Sequence, residues 1–217
     1  MKSVIRQIPG IRSALKKLLS MLTIVKYRLW GSPVPPPHII KVRWLASFGY
    51  QYSIKTLVET GTYQGTTILA LLDKFETIYT IELSQTLWNQ AVEKLNKYNH
   101  IHVINGDSSK ELRSVLNKIS DRCLFWLDGH FSGGNTARGA KDSPIIEELE
   151  TIRQHCRRDH IILIDDARCF NGSDGYPTLS DMKIMLHRIN PNYIVKVRDD
   201  IIQAYLPKTS WLGNYDT

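Results

Sequence analysis

The sequence has 217 residues, of which 42% are hydrophobic and 23% charged, with 28 Lys and Arg against 21 Asp and Glu. This composition excludes collagen-like, low-complexity and disulfide-scaffold proteins, and a chain of this length buries about 70% of its unfolded surface in a core of its own. The three cysteines, Cys123, Cys156 and Cys169, lack zinc-site or redox-pair spacing, which fits a reducing, cytoplasmic location.

Basic residues are concentrated near the N-terminus. Ten Lys and Arg and no acidic residue precede Glu59, whereas 18 basic residues face 21 acidic ones in the rest of the chain. A nucleic-acid-binding protein would be expected to carry basic clusters on its body as well, so this distribution argues against nucleic acid as a partner. No apolar run reaches the roughly 20 residues that a membrane-spanning helix needs.

The first predicted element is an amphipathic helix. Its apolar residues recur at intervals of three and four, which places them on one stripe: Ile11, Leu15, Leu18, Leu22, Val25 and Leu29. A proline-rich spacer follows, so residues 1–37 are predicted to be a basic helix plus spacer. Three roles stay open at this point. In the first, the stripe packs on the domain or on a second copy of the chain. In the second, the helix lies on the inner face of an anionic membrane, and in the third it belongs to a cleaved targeting sequence.

Residues 38–217 are predicted to form one α/β domain. Short apolar runs alternate with helical periodicity, which is typical of a doubly wound, mostly parallel sheet covered on both faces. Seven strands are predicted, at Thr56–Thr60, Ile78–Glu82, Ile101–Asn105, Cys123–Leu127, Ile161–Ile164, Tyr193–Arg198 and Ile201–Leu206. Helices are predicted between them, at Thr66–Lys74, Gln85–Tyr98, Ser109–Ile119, Pro144–Arg157 and Leu179–Ile189. The last two strands are joined only by Asp199 and Asp200, which indicates a terminal antiparallel hairpin.

Each predicted parallel strand ends beside a carboxylate. The segments concerned are Glu59–Gly65, Glu82, Gly106–Ser108, Asp128–His130 and Asp165–Asp166. Ligands of open α/β sheets bind in the crevice beyond the carboxyl ends of the strands, so these residues are the candidate site. Ser108 is also predicted to cap the helix that follows it, because Glu111 stands three residues later in the arrangement of a capping box.

Gly61 and Gly65 permit a tight turn and a close approach of a ligand to the next helix. The turn lacks the full glycine pattern of a dinucleotide site, since Tyr63 replaces the middle glycine and Glu59 adds negative charge. A ligand that carries an amino-acid cation fits this turn better. Glu82 is predicted to accept both hydroxyls of a ribose, and Asp107 to accept a hydrogen bond from an adenine amine.

These segments and the terminal hairpin resemble the class I S-adenosylmethionine-dependent methyltransferases, over about residues 40–206. The resemblance implies S-adenosylmethionine as cofactor. It also implies nine cofactor-binding residues, namely Glu59, Gly61, Thr62, Tyr63, Gly65, Glu82, Asp107, Ser108 and Asp128.

The ends of the fourth and fifth strands resemble those of divalent-metal-dependent O-methyltransferases that act on sugar hydroxyls of natural products. The resemblance implies that Asp128, Asp165 and Asp166 bind Mg²⁺ or Mn²⁺, for which oxygen ligands are suited. His130 is the candidate base, at a position where the family often has Asp. The implied acceptor is a hydroxylated sugar, a glycan or another small molecule.

Three other functions remain alternatives. A nucleic-acid methyltransferase is favoured by the basic N-terminal region, but the Asn/Asp-Pro-Pro-Tyr/Phe motif of many base methyltransferases is missing after the fourth strand. A non-catalytic nucleotide-binding module tethered by the N-terminal helix would keep the same crevice. A nicotinamide-dependent oxidoreductase is disfavoured by the incomplete glycine pattern.

Overall fold

A computed structural model of the protein describes residues 9–129, 143–173 and 175–207. The helices are α1 (Pro9–Leu29), α2 (His38–Gln51), α3 (Thr66–Leu71), α4 (Gln85–Leu95), α5 (Ser108–Leu116), α6 (Ile145–Gln154) and α7 (Leu179–Ile189). The strands are β1 (Thr56–Thr60), β2 (Thr77–Glu82), β3 (Ile101–Asn105), β4 (Cys123–Leu127), β5 (Ile161–Ile164), β6 (Ile194–Arg198) and β7 (Ile201–Tyr205). A short 3-10 turn at Ala167–Cys169 follows β5.

The seven strands form one sheet in the order β3-β2-β1-β4-β5-β7-β6. Strands β1 to β5 run parallel, and β7 lies antiparallel between β5 and β6. The predicted doubly wound fold with a terminal hairpin is confirmed. Strand order reverses direction between β1 and β4, and ligand crevices form at such switch points in open α/β sheets.

Apolar layers cover both faces of the sheet. Val58 and Phe125 face a layer built with α5, α6 and α7, whereas Leu57 and Leu124 face a layer built with α2, α3 and α4. Neighbouring residues of a strand point to opposite faces, so a strand buried on both sides has a continuous apolar sequence. This explains why the central strands appear in the sequence as apolar runs rather than as alternating patterns.

The start of α5 differs from the prediction. Asp107 is the N-cap, and its Oδ1 accepts hydrogen bonds from the Ser109 backbone N at 3.0 Å and from Ser109 Oγ at 2.7 Å. Ser108 is already the first helical residue, so the predicted capping box of Ser108 and Glu111 is wrong. The aspartate side chain reaches the free amide of the second helical residue, which is the contact that makes Asp a favoured N-cap.

Helix α2 was not predicted, although it is one of the longer helices of the domain. It begins directly after Pro37, which ends the proline-rich spacer, and buries Ile40, Leu45 and Phe48. Aromatic and aliphatic residues lie on several sides of α2, so its sequence has only a weak amphipathic pattern. The helix packs against α3 and β4, and its Lys41 contacts Asp165 after β5, at the crevice edge of the sheet.

Helix α1 is confirmed, but five residues of its predicted apolar stripe, Leu15, Leu18, Leu22, Val25 and Leu29, are exposed rather than packed on the described domain. The helix is held instead by Tyr27 and Arg28, which both bind the carboxylate of Asp199 in the β6–β7 turn. The exposed apolar face comprises Leu15, Leu18, Leu19, Met21, Leu22, Val25, Leu29 and Trp30, whose side chains are between 49% and 78% exposed. Among the described residues, no helix combines the length and the apolar character needed to cross a bilayer.

Candidate active site

The glycine-containing turn between β1 and α3 lies against the end of β4. The backbone N of Gly61 donates to the carbonyl of Ile81 at 2.9 Å, which fixes the turn on β2. Gly61 has a φ of +85°, and a Cβ at this position would lie 2.5 Å from the carbonyl oxygen of Asp128. The turn therefore requires glycine for its backbone conformation and for its close approach to β4.

We expect Gly61→Ala to lower both stability and cofactor affinity. A left-handed backbone costs an alanine about 1 kcal/mol, and the clash with Asp128 adds about 2 kcal/mol of strain. Gly31→Ala is the matched control, because Gly31 has a φ of +78° but no heavy atom beyond its two chain neighbours lies within 4 Å of the place that an alanine Cβ would take. Urea unfolding should show the larger loss for Gly61→Ala, together with a drop of about tenfold or more in S-adenosylhomocysteine affinity. Equal losses in the two variants would contradict this account of the turn.

Glu82 ends β2 and faces the same turn. Its side chain is only 6% exposed, with Oε2 accepting from the Tyr63 backbone N at 2.7 Å and Oε1 from the Ser84 backbone N at 2.9 Å. A carboxylate has about four lone-pair positions, so these two bonds leave acceptor capacity on both oxygens. The arrangement suits the predicted binding of two ribose hydroxyls, and the backbone bonds hold the carboxylate in place for it.

The third strand ends beside Glu82. The backbone N of Gly106 donates to the Glu82 carbonyl at 3.0 Å, and the Asn105 side chain donates to the same oxygen at 3.0 Å. Asp107 follows as a partly buried cap of α5, and Ser108 is buried. The structure therefore brings Asp107 to the same edge as Glu82, as the prediction requires.

Glu59 lies beneath the turn within the sheet. Its Oε2 accepts a hydrogen bond from Thr80 Oγ1 at 2.5 Å, and Thr80 Oγ1 lies 2.6 Å from Thr62 Oγ1. Burial raises the pKa of the Glu59 carboxyl to about 8, and repulsion from Glu82 adds to this, although the Thr80 bond opposes it. The structure thus links Glu59 to the predicted cofactor turn through two threonine hydroxyls.

The ends of β4 and β5 bring Asp128 and Asp165 side by side. The Asp165 backbone N donates to the carbonyl of Leu127 at 3.1 Å, while Asp165 itself is 1% exposed and Asp166 has a left-handed backbone with φ of +53°. Desolvation raises the pKa of Asp128 well above its ordinary value, and repulsion from Asp165 adds to the effect. Burial likewise raises the pKa of Asp165.

Lys41 of α2 enters this acidic cluster. Its ammonium forms an ion pair with Asp165 Oδ2 and lies 3.5 Å from Asp166 Oδ1. Burial alone would lower the pKa of Lys41, but attraction to Asp165, Asp128 and Asp166 outweighs it and the pKa is raised. Arg168 adds a second cation, with Nη1 at 2.8 Å from Asp166 Oδ1.

The predicted metal ligands do not fit a divalent cation in this arrangement. Asp165 Oδ1 accepts from the Asp166 backbone N at 2.8 Å, and its Oδ2 is paired with Lys41. Across the described ranges, no three His, Cys, Asp or Glu side chains converge on a common point as metal ligands. His130, the predicted base, lies outside the described residues, so its role stays a prediction.

Several solved structures share this architecture. The S-adenosylhomocysteine-bound methyltransferase PaMTH1 of Podospora anserina has 17% identity and a TM-score of 0.53, over 92% of this chain and 97% of its own. An O-methyltransferase of Bacillus cereus in complex with S-adenosylhomocysteine has 13% identity and a TM-score of 0.56, over 86% and 90%. TomG of Streptomyces achromogenes, an O-methyltransferase of tomaymycin synthesis in complex with S-adenosylmethionine, has 12% identity and a TM-score of 0.52, over 87% and 89%.

The chain has a class I methyltransferase fold. No protein-family model matches the sequence, and comparison with curated protein sequences gives no match. At these identities the likeness of the structures establishes the methyltransferase fold, while the activity has to be argued from the site.

The sequence patterns did not indicate two charged residues that lie beside the crevice of this methyltransferase fold, Lys41 and Glu148. Lys41 lies on the buried side of α2, four residues before Leu45 and seven before Phe48. Glu148 is 1% exposed, on the side of α6 that also buries Ile145, Leu149 and Ile152, and it approaches Gly129 after β4. In α6 the available signal is a charged residue within an apolar stripe, because buried charges need partners and gather at functional sites, whereas the weak periodicity of α2 gives no such signal for Lys41.

Proposed function

We propose that the chain is an S-adenosylmethionine-dependent O-methyltransferase. The observation that carries the proposal is the Glu82 carboxylate, held by two backbone amides against the turn that contains Gly61. This would provide a buried acceptor for ribose hydroxyls at the end of β2, one strand away from the β1–β4 switch point, with Asp107 at the neighbouring strand end. S-adenosylhomocysteine or S-adenosylmethionine is bound in the three neighbouring structures, which supports an adenosyl ligand here.

The acceptor that we propose is a hydroxyl group of a sugar, a glycan or another small molecule. The proposal draws on the resemblance of the β4 and β5 ends to O-methyltransferases of natural-product sugars. Asp128, Asp165 and Asp166 lie together at the edge where the acceptor would enter, and their oxygens can accept hydrogen bonds from hydroxyl groups. Metal assistance is not part of this proposal, because Asp165 uses one oxygen for Lys41 and the other for the Asp166 backbone N, and Asp166 Oδ1 is shared by Lys41 and Arg168.

Calorimetry separates the proposal from its alternatives. We expect S-adenosylhomocysteine to bind with a dissociation constant of about 10 μM or lower, which corresponds to roughly 7 kcal/mol, and NADH to give no heat of binding. NADH binding in place of S-adenosylhomocysteine would identify an oxidoreductase. Transfer of a labelled methyl group from S-adenosylmethionine to a panel of hydroxylated sugars and phenols then tests catalysis. Transfer to RNA or DNA alone would favour the nucleic-acid methyltransferase.

We also propose that α1 binds an anionic membrane surface. Basic residues accompany the exposed apolar face defined above: Lys17 and Lys26 are exposed, Lys26 lies over the Trp30 ring, and no acidic residue occurs before Glu59. Two copies of α1 would bring like charges together, whereas anionic lipid headgroups attract them. The apolar side chains would insert at the boundary between headgroups and acyl chains.

Vesicle sedimentation tests this proposal with Leu22→Asp. The change should lower partitioning onto phosphatidylserine-containing vesicles about 100-fold, because it removes a leucine that would insert into the membrane and adds repulsion from the lipid. Ile184→Asp is the matched control, since Ile184 is a comparably exposed apolar residue on α7. Vesicle binding unaffected by Leu22→Asp would contradict the proposal. So would a dimer in sedimentation equilibrium that Leu22→Asp dissociates, because the face would then bind a second copy.

A further inference from the structure

The acidic cluster at the ends of β4 and β5 already contains a cation. Asp165 uses Oδ1 for the Asp166 backbone N and Oδ2 for Lys41, and Asp166 uses Oδ1 for Lys41 and Arg168. A divalent ion would have to approach these oxygens to between about 2.0 and 2.6 Å. It would then meet the ammonium group at close range and be repelled by it.

The position of Lys41 follows from how α2 is built. The helix starts at His38, directly after the proline-rich spacer, so Lys41 lies in its first turn at the crevice edge of the sheet. Leu45 and Phe48, one and two turns further on the same side, are buried and anchor this face of the helix. The Lys41 ammonium group is paired with Asp165, and the Lys41 side chain is 17% exposed, so part of it is accessible to solvent.

We propose that the Lys41 ammonium group takes the position predicted for a metal ion and supplies the positive charge of the acceptor site. Methyl transfer then needs no divalent metal. The inference rests on the proposed methyltransferase function. An ammonium group has three N–H donors, and Asp165 and Asp166 accept two of them. The third donor is available to the oxygen of an acceptor hydroxyl and orients that oxygen toward the methyl group.

The reaction balances without a metal. The acceptor oxygen forms a bond to the methyl carbon while the carbon–sulfur bond of S-adenosylmethionine breaks, with its electron pair remaining on sulfur. The sulfonium charge is lost, S-adenosylhomocysteine is released, and the hydroxyl proton leaves to solvent. Lys41 remains protonated throughout and acts through its charge and its hydrogen bond.

Mn²⁺ binding, measured by electron paramagnetic resonance on the full chain saturated with S-adenosylhomocysteine, tests the inference. The wild-type chain should bind no stoichiometric Mn²⁺ at concentrations up to about 1 mM, because Lys41 occupies the carboxylate oxygens. Lys41→Gln removes the charge and should raise the affinity for Mn²⁺ about tenfold or more, since a unit charge at this range is worth more than 1 kcal/mol. Lys55→Gln is the control and should behave as wild type, because the Lys55–Glu76 pair is well exposed on the surface.

Stoichiometric Mn²⁺ binding to the wild-type chain at submillimolar concentration would overturn the inference, and so would a folded Lys41→Gln variant without any gain in Mn²⁺ affinity. The wild-type measurement decides the matter even where Lys41→Gln does not fold. S-adenosylhomocysteine affinity is measured on the same samples. A chain that does not bind S-adenosylhomocysteine would refute the proposed function. A wild-type chain that binds both S-adenosylhomocysteine and Mn²⁺ would refute only the role of Lys41.

Discussion

Glu82→Gln should weaken the binding of S-adenosylhomocysteine about 100-fold. The variant loses a charged acceptor for two ribose hydroxyls, and hydrogen bonds to charged groups contribute about 1.5 kcal/mol or more each. The amide also turns an NH₂ group toward either the Tyr63 or the Ser84 backbone N, which both donate to Glu82. Titration calorimetry of the two proteins at equal ionic strength measures the difference directly.

Glu76→Gln is the matched control for this measurement, because Glu76 is an exposed carboxylate at the opposite end of the same strand region. Its affinity for S-adenosylhomocysteine should equal that of the wild-type chain. Thermal unfolding without ligand shows whether Glu82→Gln is folded under the conditions of the titration. A folded Glu82→Gln variant that binds as tightly as Glu76→Gln would show that the ribose is not held by Glu82.

Glu59→Gln should remove a loss of stability that the wild-type chain undergoes as the pH rises from about 4.5 to about 8. The folded-state pKa of Glu59 is raised from 4.5 to about 8 by burial, so the fold favours the protonated carboxyl and is destabilised when this group ionises. The stabilising contribution of the proton is therefore complete below pH 4.5 and is lost as the pH rises through about 8. Glutamine has the shape of the protonated acid and does not ionise.

Urea unfolding at several pH values, without ligand, measures this effect. The free energy of unfolding of Glu59→Gln relative to wild type should increase by about 3 kcal/mol between about pH 5 and pH 8.5. Glu76→Gln again serves as the control, and its difference from wild type should be much less dependent on pH, because Glu76 is exposed. A pH-independent difference for Glu59→Gln would mean that Glu59 is already ionised in the folded protein.

The strand ends could be predicted from the sequence because burial on both faces leaves a distinct pattern. Each central strand is a short apolar run, and a carboxylate follows it at the edge where parallel strands meet solvent. The topology then brings Glu82, Asp128 and Asp165 to one edge without any knowledge of side-chain contacts. The terminal hairpin could be predicted because only Asp199 and Asp200 separate the last two apolar runs, and in the structure both residues adopt the left-handed backbone typical of such two-residue turns.

The partners of these carboxylates could not be predicted in the same way. Helix α2 has apolar residues on several sides, so its periodicity is weak, and without the helix Lys41 has no predicted position near Asp165. The cap of α5 was predicted one residue too late, at Ser108 instead of Asp107, because local sequence signals do not fix the first residue of a helix. The exposure of the apolar face of α1 could not be predicted either. The helix is held through contacts of Tyr27 and Arg28 with Asp199, and these residues are far apart in the sequence.

A crystal structure of the chain with S-adenosylhomocysteine tests the central claim most directly. The claim is that an adenosyl cofactor binds at the carboxyl ends of β1, β2 and β3, with its ribose on Glu82. We predict both ribose hydroxyls within about 3 Å of the Glu82 carboxylate oxygens, as expected for hydrogen bonds to a charged acceptor. A nucleoside bound elsewhere on the sheet, or one whose ribose does not touch Glu82, would contradict the account.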